Sequence, residues 1–130
     1  MERRDAYVRE AGAGVPLVCI HASASSSSQW RPLMDRLAGR FRVLAVDLWR
    51  AAFEEPVPLS AFGALDVPTL CLVGSDSPAS SRAVARLLAK TLPRVTEIEI
   101  DGVGHMGPVT HPDRINARIE GHLEQLTSGA

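Results

Sequence analysis

Four side chains able to do acid–base or metal chemistry, His21, Asp47, Asp76 and His105, each follow an apolar run. "VPLVCI" leads to His21, "FRVLAV" to Asp47, "TLCLVG" to Asp76, and the alternating "VTEIEIDGVG" to His105. Runs of this kind are strand-like, and in an open α/β sheet the ligand crevice lies beyond the carboxyl ends of the strands. His105, on a glycine-rich turn, stands where a general base would, and Asp76 is the carboxylate that would orient it. A base normally serves a nucleophile. The cysteines, Cys19 and Cys71, sit inside apolar runs and read as reduced, buried small hydrophobes. The serines of "SASSSS", residues 23–28, lack a strained elbow and a second backbone donor for an oxyanion. They read as a solvated loop that caps the following helix.

The elements that must position these groups follow from periodicity and punctuation. "DAYVRE" is a short first strand and "AGAG" a turn. "VPLVCIH" is a continuous apolar run of the kind a doubly buried parallel strand shows. "SQWRPLMDRLAGR" repeats Trp30, Leu33, Met34 and Leu37 at helical spacing and closes at Gly39. "FRVLAVDLW" is a second buried strand, and residues 50–66, with two prolines, hold one or two short helical turns. "VPTLCLVGSD" is a third buried strand, and "SPASSRAVARLLAKTLP" is a helix capped by Ser or Asp. Residues 94–105 alternate apolar and polar, which predicts a strand exposed on one side at a sheet edge. The last helix begins near Pro112 and carries Ile115, Ile119, Leu123 and Leu126 as its apolar stripe. His111 is placed to cap that helix, and His122 is an exposed or interfacial side chain on it.

Composition limits what such a chain can be. At 130 residues it is read as one domain, and its 45% apolar and 22% charged content is that of an ordinary globular protein. A formal net charge of -1, with cations and acids interspersed, gives no electrostatic case for nucleic acid or an anionic membrane. The start "MERRDAYVRE" lacks the apolar core of a signal peptide, so a cytoplasmic location is expected.

The assembled residues resemble the α/β-hydrolase family in two pieces. Residues 14–48, "GVPLVCIHASASSSSQWRPLMDRLAGRFRVLAVDL", resemble the family's strand ending in His-Gly, its oxyanion loop, a helix and a strand ending in aspartate. Residues 65–123 resemble its closing third: the acid-bearing strand, a helix, the last strand with Gly-x-Gly-His, and the final helix. The family's Gly-x-Ser-x-Gly nucleophile elbow does not occur in this sequence. The resemblance therefore implies an internally shortened domain, without the nucleophile strand, the strand after it and any lid. His-Gly is replaced by His21-Ala22, and Ser77 stands before Pro78 where the family has a carboxylate. The implied fold is a three-layer α/β sandwich on a small, mostly parallel sheet.

If the family's strand order survives the excision, Asp47, His21, Asp76 and His105 end consecutive strands. Neighbours are about 4.8 Å apart, so three strand ends span on the order of 10 Å. Two imidazoles and a carboxylate converging there would suit zinc or manganese, with His21, Asp76 and His105 as ligands and Asp47 as a fourth ligand or an acceptor orienting an imidazole. The ion's hydroxide would replace the missing serine in cleaving esters or phosphoesters. Metal-free water activation by His105 and a non-catalytic binding or structural module are the alternatives. Removing the covering elements would bare apolar surface around Trp49, Phe53 and Phe62, which predicts a homodimer.

Overall fold

The computed structural model describes residues 7–21, 25–47 and 58–129. Trp49 and Phe53 lie outside these residues. The chain, read as one domain from its length, groups into two compact units, Met1–Pro56 and Val57–Ala130.

The first unit holds a sheet in the order β1-β3-β2, from β1 (Val8–Ala11), β2 (Val15–Ile20) and β3 (Phe41–Val46). β1 runs antiparallel to β3, and β2 runs parallel to it, so Ile20 lies beside Val46. Gly12 and Gly14, at φ +80° and +113°, make the turn that reverses the chain between β1 and β2. A 3-10 turn, Ser27–Trp30, leads into α1 (Arg31–Leu37), with Pro32 in its first turn. The Ser26 hydroxyl caps the 3-10 turn by accepting from the Ser28 N–H. Leu33, Met34 and Leu37 of α1 are buried, as are Phe41, Val43 and Ala45 on alternate residues of β3. Each fully buried Leu or Val here contributes about 1.5–3 kcal/mol.

The apolar runs are not doubly buried as expected. Along β2 only Cys19 is buried, while Val18 and Ile20 are 58% and 60% exposed. Helix α1 packs on one face of this sheet. The run recorded a strand suited to burial on both sides, which periodicity alone cannot distinguish from burial achieved.

The second unit pairs β4 (Thr69–Gly74) with β5 (Val95–Ile100) in parallel. Helix α2 (Ala79–Thr91) packs on both strands and on a 3-10 turn, Leu59–Ala64. The expected Ser or Asp cap of α2 is replaced by Pro78, with no side-chain cap bond, because a proline N-cap leaves the preceding Ser77 outside the capping position. A one-turn helix, α3 (Gly107–Thr110), precedes α4 (Pro112–Ser128). It was not expected, although Pro108 in its first turn favours it. Ile115, Ile119 and Leu123 of α4 are buried, but Leu126 is exposed near the helix end. Exposure alternates over the last four residues of β5, with Glu97 and Glu99 outward and Ile98 and Ile100 inward, while Thr96 is also exposed.

The architecture is α/β with mostly parallel strand pairing, as the sequence leads one to expect. Among the described residues, hydrogen bonds define a three-stranded sheet in the first unit and a two-stranded sheet in the second.

Candidate functional site

The register β2–β3 places His21 and Asp47 side by side, one residue beyond the paired Ile20 and Val46. His21 is buried, with its Nε2 3.5 Å from Asp47 Oδ1. The stronger claims on that carboxylate come from Ser27. Its backbone N–H donates to Oδ1 at 2.6 Å and its hydroxyl donates to Oδ2 at 2.9 Å. Arg9 Nε, from β1, donates to the same hydroxyl oxygen at 3.0 Å. Arg9 of β1 and Asp47 after β3 thus meet at one buried serine, with His21 after β2 beside Asp47.

The Ser27 N–H holds the Asp47 carboxyl below the usual carboxylate range; burial opposes this, and the Ser27 hydroxyl and the charges of His21 and Arg9 add to it. This cluster is not a nucleophile–base pair. Ser27 has no exposed surface, and its proton goes directly to a carboxylate rather than to an imidazole. Sequence reasoning missed Ser27 and Arg9. One serine in a run of serines and one arginine in a polar strand have no distinguishing signal until the strand ends bring them together.

In the second unit, Gly74 and Ile100 end the paired strands and the following loops are laced together. The Ser75 N–H donates to Ile100 O, the Asp76 N–H to Val103 O, and the Gly102 N–H to Ser75 Oγ at 2.8 Å. A side chain at Gly74 would run into the Val103 carbonyl, so this position requires glycine for close approach. Arg114 of α4 donates to Asp101 O at 2.8 Å and fixes the outer loop to the helix. Asp76 and His105 sit on these two loops, both exposed. The Asp76 carboxylate accepts from Ser75 Oγ at 3.2 Å, and no hydrogen bond joins it to His105 among the described residues.

No three His, Cys, Asp or Glu side chains among the described residues form a group that could hold a metal ion. His21 and Asp47 lie together in one unit, and Asp76 and His105 on neighbouring loops in the other. His111 does not cap α4 with its side chain; its Nδ1 is 2.8 Å from Thr110 Oγ1. His122 is half-buried rather than exposed, and burial holds its imidazole below the ordinary value. Cys19 is buried, which pushes its thiol up to about 12, while Cys71 is only half-buried. No helix among the described residues is long and apolar enough to cross a membrane.

No protein-family model and no curated protein matches the sequence. Solved structures do. A thermophilic esterase from Thermogutta terrifontis aligns with a TM-score of 0.72 over 92% of this chain and 93% of the esterase, at 13% identity. MGS-MChE2, an α/β hydrolase from the metagenome of Mar Chica lagoon sediments, gives 0.70 over 98% of each chain, also at 13% identity. A serine hydrolase of carbazole degradation, CarC, gives 0.69 over 92% and 95%, at 12% identity. Identities this low establish shared fold and leave activity open.

Proposed function

We propose that this chain, which has the α/β-hydrolase fold in a shortened form, hydrolyses ester or phosphoester bonds by attack of water, with His105 as general base. The observation that carries this reading is the setting of His105: exposed, on the loop that follows β5, which is laced to the turn that bears Asp76. A hydrophobic strand pair and α4 hold that loop, while the imidazole itself is left accessible to solvent and substrate. Asp76 is the carboxylate nearest in the fold's logic to orient it, a contact that catalytic groups often complete only when substrate is bound.

A zinc or manganese ion held by His21, Asp76, His105 and Asp47 is the other source of hydroxide. The described residues gather no three such donors, so the metal-free route is the one we favour. The buried Ser27 is not assigned a nucleophilic role. Water is a weaker nucleophile than an activated serine, and a slow enzyme is expected.

The test is hydrolysis of p-nitrophenyl acetate and p-nitrophenyl phosphate by the chain and by His105→Ala. The proposal expects a measurable rate that falls by about 100-fold or more in the variant, the scale of general-base catalysis. An unchanged rate in His105→Ala would remove His105 from the mechanism. Elemental analysis of chelator-free protein separates the routes, since one tightly held zinc or manganese per chain would favour the metal. No hydrolysis of either ester, with or without added metal, would leave a non-catalytic binding module.

A further inference from the structure

A groove of about 270 Å3 lies between β1 and α1 in the first unit, lined by Arg9, Glu10, Ala11, Arg31, Met34 and Asp35. Its four charges are not equivalent. Glu10 is committed to Arg42, whose Nε donates to Glu10 Oε1 at 2.6 Å. Arg9 is held from two sides: its Nε donates to Ser27 Oγ, and its guanidinium carbon lies 5.4 Å from the Tyr7 ring centroid. Among the described residues, the remaining Arg9 N–H groups make no hydrogen bond or ion pair, and the side chains of Arg31 and Asp35 make none. Asp47 contributes negative field at Arg9, but both of its oxygens already accept from Ser27.

The groove is thus lined by an Arg9 whose Nε alone is hydrogen-bonded, by Arg31 and Asp35, and by the apolar Met34. A guanidinium presents its N–H groups as a planar fork that matches carboxylate and phosphate oxygens. Arg9 is already fixed by Ser27 and Tyr7, so it gives up little freedom on gripping a ligand. We infer that this groove binds a small molecule bearing a carboxylate or phosphate oxyanion, gripped by Arg9 and Arg31. The inference uses none of the residues assigned to hydrolysis, so it stands or fails separately from the proposed activity.

Inorganic phosphate and succinate, titrated separately into the full chain, test it. Heat of binding is followed by calorimetry, and the Arg9 Nε–Hε signal by NMR. Arg31→Ala is the informative variant because Arg31 makes no contact that the fold needs, and far-UV circular dichroism checks this. Arg94→Ala, which removes an exposed arginine of the second unit, is the control for general attraction of anions. The expected result is saturable binding of at least one ligand with movement of the Arg9 signal, weakened about tenfold or more in Arg31→Ala and unchanged in Arg94→Ala. Binding of phosphate alone would assign a phosphorylated ligand, and of succinate alone a carboxylate. No saturable binding of either at millimolar concentration, full binding by Arg31→Ala, or an equal loss in Arg94→Ala would overturn the inference.

Discussion

Ser27 spends both of its donors on one carboxylate, and among the described residues Asp47 is the only hydrogen-bond acceptor they have. Asp47→Ala would strand a buried N–H and a buried hydroxyl, an expected loss of about 1–3 kcal/mol measured by urea unfolding. The same contacts set a pH dependence. The folded chain holds the Asp47 carboxyl below its ordinary value, so the unfolded chain takes up the proton first as the pH falls. The stabilisation is present above about pH 4 and is lost as the pH drops further, through the folded value. Asp47→Asn should show a smaller acid-side loss than the parent chain. The cysteines give a second residue-level expectation. Burial lifts Cys19 to about 12; it also raises Cys71, with the charge of Glu97 adding to the effect. At pH 8, iodoacetamide should label Cys71 before Cys19, and both should react fast only after denaturation.

The paired elements depend on close approach at a few backbone positions. Gly74 ends β4 against the Val103 carbonyl, so Gly74→Ala must push the two site loops apart. The second unit of this variant should unfold at lower urea and with a broader transition. Gly121 offers the opposite case, since it lies within α4 with open space where a Cβ would stand. Gly121→Ala should stabilise by about 0.5–1 kcal/mol, the ordinary cost of glycine in a helix interior. If both substitutions act alike, packing does not distinguish Gly121 of the helix from Gly74 at the strand end.

At the scale of the molecule, several large apolar side chains stand exposed. Val18 and Ile20 of β2 point outward with Val8 of β1, and in the other unit Phe62 is also exposed. β2 is an outer strand of the three-stranded sheet with no charged residue in its six positions, so only Pro16 along it opposes association. A homodimer is therefore expected in sedimentation equilibrium, and Ile20→Lys should shift it towards monomer. A monomer at all accessible concentrations would mean that this surface is tolerated bare.

The sequence by itself determined the elements and their chemical endings. Apolar runs, proline and glycine punctuation and the helical spacing of Leu33, Met34 and Leu37 report local backbone preference and one buried face, which are properties of short segments. They placed His21, Asp47, Asp76 and His105 beyond the ends of strands β2, β3, β4 and β5, where the structure has them. Only the tertiary structure decided which of them are neighbours. Strand pairing depends on contacts distant in sequence, and it joined His21 to Asp47 while placing Asp76 and His105 on loops of a separate sheet. It also selected Ser27 from a run of identical residues, because only there do an N–H and a hydroxyl meet one carboxylate together.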